Sequence, residues 1–114
     1  PYSRAAARGT DMAYPAGDTV TGTLSADGRG TPFRPFANKL FNVFVDITGT
    51  ITVTLQRSFD EGVTWYNVVL PDFSGPATFT ADTNFEVLEA QASTIYAWNA
   101  SGTAGGTALY RFAT

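Results

Sequence analysis

Alternation of apolar and polar positions organises this chain from about residue 19 onward and is absent before it. It is clearest where Ile51, Val53, Leu55 and Phe59 fall on odd positions and Thr52, Thr54, Gln56 and Ser58 on even ones. Only Arg57 interrupts the apolar series. Period-two patterning built from β-branched residues predicts a strand with one buried face. Residues 63–70, rich in Trp, Tyr and Val, predict the returning strand, which stops at Pro71 because proline has no N–H for a ladder. Between the two, Asp60-Glu61-Gly62 supplies turn chemistry: Asp can bond its own backbone two residues on, and Gly supplies positive φ.

The same reading predicts strands over residues 19–24, 40–47, 77–81, 85–90, 94–99 and 107–113, separated by Gly, Asp, Asn and Ser breakers. Thr48-Gly49-Thr50 is expected to turn the 40–47 strand directly into the hairpin. Residues 31–36 carry Pro32 and Pro35, which suit an edge strand or an extended connector. With about eight strands and no helix, the chain reads as all-β. Short links between consecutive strands imply antiparallel pairing, and two such sheets must bury their apolar faces on each other. The expected fold is an antiparallel β-sandwich, Ig-like or jelly-roll-like, with a small closed barrel as the alternative. Residues 1–18 lack periodicity and read as an extended N-terminal arm ahead of a single sandwich domain over 19–114.

Composition narrows the chemistry. At 114 residues there is room for one core, and 44% hydrophobic with 15% charged residues marks a globular chain with few charges. A net charge of −3 argues against nucleic acid as a partner, because phosphate contact needs a basic surface. There is no Cys and no His, which removes disulfides, thiolate nucleophiles, imidazole bases and ordinary zinc sites. Asp60, Glu61, Asp72 and Asp82 could offer oxygen to calcium but follow no repeated ligand pattern. Catalysis, cofactors and metals are therefore not expected, and no run is long and apolar enough to predict a membrane span. A chain opening at Pro1 fits synthesis in a cytoplasm after loss of an initiator methionine.

Aromatic residues are numerous for one small core, so some must face outward. Trp65 and Tyr66 are neighbours on a strand and point to opposite sides, as do Val43 and Phe44. Outward rings together with the basic arm suggest a protein interface, with Arg4, Arg8, Phe33, Phe36, Phe44 and Tyr66 as candidates. A glycan stacked on Trp65, Tyr66 or Trp98 is the competing use of such rings.

Ser58, Asp60, Gly62, Thr64 and Trp65 match the Asp-box pattern, S-x-D-x-G-x-T-W, at every defined position. The motif resembles the hairpin turns of sialidase blades, where its role is structural. Sialidases carry several copies with an arginine cluster and a Tyr–Glu pair, and one copy alone does not bring that activity. A wider run, with Phe41-Asn42-Val43, Thr48-Gly49-Thr50 and Thr54-Leu55-Gln56-Arg57-Ser58-Phe59-Asp60 leading to Thr64-Trp65, resembles small structural proteins of tailed bacteriophages. That resemblance covers about residues 40–112 and is specific in the hairpin. It implies a virion component made in the host cytoplasm: a decoration or cement protein that binds the major capsid protein and copies of itself. A tail or fibre component, or a carbohydrate-binding sandwich module, is the alternative.

Overall fold

The computed structural model describes residues 14–70, 72 and 74–114. Arg4 and Arg8, and with them the arm up to residue 13, lie outside the described residues. The described residues form nine strands: β1 (Val20–Leu24), β2 (Gly28–Arg29), β3 (Phe41–Thr48), β4 (Thr52–Ser58), β5 (Tyr66–Asn67), β6 (Thr78–Phe79), β7 (Thr83–Val87), β8 (Ile95–Ser101) and β9 (Thr107–Ala113). They form two antiparallel sheets, β1-β9-β3-β7 and β2-β8-β4-β5, with β6 also on the edge of β4.

The pairing is nested. β1 pairs with β9, β2 with β8, β3 with β7, and β4 with both β5 and β6. The chain is one long hairpin doubled about its middle, and the Asp box lies at the tip. Pairing of β3 with β9 and of β4 with β8 rolls this ribbon into two facing sheets. That is the jelly-roll form of the sandwich.

Two expectations are corrected. Residues 49–51 do not make a hairpin; β3 and β4 belong to different sheets. Each has its own buried row, Val43 and Val45 on one and Val53 and Leu55 on the other. Two such rows bury each other only from opposing sheets, so the short link crosses the core instead of folding back beside it. The returning strand is also shorter than its composition suggests. Only Tyr66 and Asn67 pair with Arg57 and Gln56, after which residues 68–70 and 74–77 leave the ladder as the two arms of a flap. Its two ends meet at Leu55. The Val68 N–H donates to the Leu55 carbonyl, the Leu55 N–H to Ala77 and the Ala77 N–H to Val68, each within 2.9 Å.

The core lies between the sheets. Phe33 stacks on Phe112 with ring centres 5.4 Å apart and tilts against Phe41 at 5.3 Å. At 1% exposure it is a core residue, not the surface contact its flanking prolines suggested. Extended backbone bridges Phe33 to Tyr96 on β8 and turns its ring inward, while the prolines keep the rest of the segment off the ladder. Trp98 is likewise fully buried.

Because the sheets are antiparallel, the connections gather at two ends. Residues 30–40, 59–65 and 88–94, the start at 14–19 and Thr114 share one end, here called the Asp-box end. Residues 25–27, 49–51, 80–82 and 102–106 share the far end.

Candidate interaction surface

The Asp-box end begins from its turn. Asp60 Oδ1 accepts the Thr64 N–H at 2.8 Å and the Ser58 hydroxyl at 2.7 Å, and Ser58 Oγ accepts the Gly62 N–H at 2.9 Å. The Thr64 amide, with help from Ser58, holds the Asp60 carboxyl below its ordinary value. A carboxylate that accepts these turn donors is engaged in holding the backbone of the turn. Gly62 sits at φ 92°, where a side chain would be strained, and its carbonyl takes the Trp65 indole N–H at 3.0 Å. The turn folds over the outer face of β8: a methyl on Gly62 would touch the Trp65 ring at 3.6 Å and Ile95 at 3.8 Å. This accounts for a strand whose residues Ile95 to Trp98 are all buried, two facing the core and two facing the turn.

Glu61, at φ 60°, turns its carboxylate away from the box toward Arg34, whose Nη2 donates to both of its oxygens. Arg34 is buried and also donates from Nε to the Tyr14 carbonyl at 2.8 Å and from Nη1 to Ala92 at 3.2 Å. One guanidinium thus ties together the N-terminal segment, the Asp box and the β7–β8 connection. Gly17 donates to the Arg34 carbonyl at 2.8 Å, so residues 14–18, read from sequence as part of the arm, are bonded to the domain.

A second buried network lies beside the first. Glu89 accepts the Tyr96 hydroxyl at 2.7 Å, Arg57 Nη1 at 3.2 Å and the Gln91 N–H at 3.0 Å. Burial, reinforced by Glu89, pushes the Tyr96 phenol well above its ordinary value. The sequence held a signal for this pair: Arg57 is the one charge in an inward-facing row, and Glu89 follows an apolar run. Arg34 gave no comparable signal and was missed.

Around these networks the surface is apolar. Phe36, Leu40, Phe59, Val63, Tyr66 and Leu88 are all exposed at or beside this end, whereas toward the far end Leu109, on the outer face of β9, is the one exposed large hydrophobic among the described residues. Arg57 lies over the Phe59 ring at 5.1 Å, Lys39 over Phe36 at 5.5 Å, and Phe59 is 6.1 Å from Tyr66. Below the rim a cleft of about 240 Å³ opens between the flap and β7, lined by Val68, Val69, Leu70, Phe85, Val87 and Leu88 with Arg57, Glu86 and Tyr96.

Of the residues named from sequence, Phe36 and Tyr66 stand together at this end, Phe44 is half-buried on the outer face of β3 between Arg111 and Asn84, and Phe33 is in the core. Among the three rings nominated for glycan stacking, Trp98 is buried and Trp65 is covered by the Arg29 guanidinium at 4.5 Å, which leaves Tyr66. Among the described residues no group of three or more acidic side chains is placed to hold a metal ion. The chain matches no family model, no curated protein and no solved structure.

Proposed function

We propose that this chain is a non-enzymatic structural protein of a tailed-phage particle, a decoration or cement protein that docks on the capsid exterior through its Asp-box end. The observation that carries the reading is the uneven distribution of exposed apolar side chains, six at or beside that end and, toward the other, Leu109 alone among the described residues. The hairpin resemblance supplies the phage context. Topology adds little, since jelly rolls serve capsid proteins, lectins and cupins alike.

Magnitudes shape the proposal. An apolar patch of roughly 500 Å² is at the upper range for a monomer surface. Burying it gains about 12 kcal/mol at ~25 cal/mol per Å², against an association cost of about 4–15 kcal/mol. One copy alone then binds weakly. Firm attachment needs a second contact, a role we assign to the segment before Tyr14, and repetition over a symmetric shell.

The test is cosedimentation with assembled shells of a tailed phage that encodes the chain. Replacing Phe59 and Tyr66 by Ser should abolish sedimentation with the shell, and Ser replacements at the far-end Ala81 and Ala104 should leave it intact. Removal of residues 1–13, which spares the bonds of Tyr14 and Gly17 to Arg34, should weaken it. Equal binding by the rim variant and wild type would refute the reading.

A further inference from the structure

We infer that the cleft between the flap and β7 is a binding site for a small uncharged molecule with a compact apolar body and one carbonyl-type acceptor. The inference rests on the lining of the cleft and does not need the capsid.

The walls set the body of the ligand. Val68, Val69 and Leu70 line the cleft from the flap, and Phe85, Val87 and Leu88 line it from β7 and the residue after it. Both sides are fixed before any ligand arrives. Val68 and Ala77 bond each other and Leu55, and β7 is laddered to β3 from Thr83 to Val87. Val69 and Leu88 are both more than half exposed, and Phe85 and Val87 are only partly buried against the core. Apolar surface left uncovered between two fixed walls is what a bound apolar body removes from water. At about 240 Å³ the cleft is below the ~300 Å³ at which sites for drug-sized molecules begin, so that body is compact.

The polar side chains set the head group. Arg57 and Tyr96 line the cleft, and both are bonded to Glu89, which does not. The Tyr96 hydroxyl proton is committed to Glu89 at 2.7 Å. Arg57 gives Glu89 Nη1 alone, at 3.2 Å, so among the described residues its Nε and Nη2 keep their N–H groups for a ligand. Glu86 also lines the cleft, but alternation along β7 turns its carboxylate to the outer face of the sheet, beside Asn42. The head group therefore accepts and does not donate. Its charge is decided by the Arg57–Glu89 pair, which is neutral as a unit. A ligand carboxylate would compete with Glu89 for one guanidinium, and an ammonium would face that guanidinium directly. An uncharged acceptor meets neither penalty.

Amide NMR titration of the full chain, without capsid, tests this with three probes that share one body: cyclohexanone, cyclohexanecarboxylate and cyclohexylammonium. Cyclohexanone should give saturable shifts confined to residues 68–70 and 85–88 with Arg57, Ala77 and Tyr96. The two charged probes should bind about tenfold more weakly or worse. Arg57→Met keeps an apolar stem beside Phe59 and removes the donors, and it should weaken cyclohexanone about fivefold, the effect of one lost hydrogen bond. Glu89 keeps the Tyr96 hydroxyl and the Gln91 N–H in that variant, and a circular dichroism spectrum equal to wild type confirms its fold. No saturable shift with cyclohexanone, shifts that fall on the rim and not on the cleft, or three probes of equal affinity overturns the inference. So does cyclohexanone binding that is indifferent to Arg57→Met. Because no shell is present, each result leaves the cosedimentation test standing on its own.

Discussion

The two ends of this sandwich close the same two sheets by different means. At the far end the links are short and small. Asp27 accepts the Thr103 N–H at 3.0 Å, Asp82 accepts the Ile47 N–H at 2.7 Å, and the Ala104 N–H reaches the Thr50 carbonyl at 3.0 Å. Gly106 lies directly on the Thr50 backbone. Nothing there is charged and buried. The Asp-box end instead holds two ion pairs with one buried partner each, Arg34 in Arg34–Glu61 and Glu89 in Arg57–Glu89, and surrounds them with exposed rings and aliphatic side chains. Buried pairs contribute little net stability compared with apolar packing, because desolvation offsets most of their attraction. Their effect is geometric: each guanidinium fixes loops that have no ladder to hold them. The far end is closed at the least cost in desolvation, and the Asp-box end spends stability on holding a defined surface.

If that contrast is right, the largest loss should come from the residue that ties the most loops. Arg34→Ala leaves Glu61 and the Tyr14 and Ala92 carbonyls without their donor. The expected loss is about 3 kcal/mol, at the low end for a broken buried pair because Glu61 is partly exposed and can rehydrate. Urea unfolding measures it, and Arg34→Lys should recover little, since one ammonium cannot reach three acceptors in a fixed fork. A loss under 1 kcal/mol would mean the loops are held by something else.

The far end should fail for a different reason. Gly106→Ala places a methyl against the Thr50 backbone, which cannot rotate away as a side chain would. A cost of about 2 kcal/mol is expected from overpacking. The loss should be the same in a Glu61→Gln background, whereas that of Arg34→Ala should shrink there because the ion pair is already broken. Thermal melts of the two variants with and without Glu61→Gln separate the cases, and equal shifts in both backgrounds would erase the distinction between the ends.

Much of this was legible from residue pattern. β3, β4 and β9 follow their alternation closely, since a strand buried on one face must alternate, whereas β8 is buried on both faces where the turn covers it. The Asp box was legible as a turn, because its bonds run between residues two to four apart. What escaped notice is long-range. No local rule says that β3 and β4 part into different sheets, that Phe33 bridges to Tyr96, or that Arg34 and Glu61, 27 residues apart, share a carboxylate contact. The surface suffered most. Leu40, Val63 and Leu88 carry the same letters as core residues, and only the sheet register turns them outward.

The smallest expected effect isolates the Asp-box end by its titration. Burial and Glu89 raise the Tyr96 phenol above its ordinary value of 10.0, so the folded chain keeps this proton at a pH where the unfolded chain has lost it. The associated stability is fully present below about pH 10 and is lost as pH rises through the folded value. The far end has no counterpart, since Asp27 is held low by Thr103 and stays ionised throughout that range. Tyr96→Phe should therefore flatten the alkaline limb of the stability curve and leave the acid limb unchanged. At pH 7 it should cost about 1.5 kcal/mol, the lower range for a bond to a charged acceptor, because Glu89 keeps Arg57 and the Gln91 N–H. An alkaline limb as steep in Tyr96→Phe as in wild type would place the high-pH loss outside this network. The buried pairs would then be ordinary loop staples, with no titration of their own to distinguish the two ends.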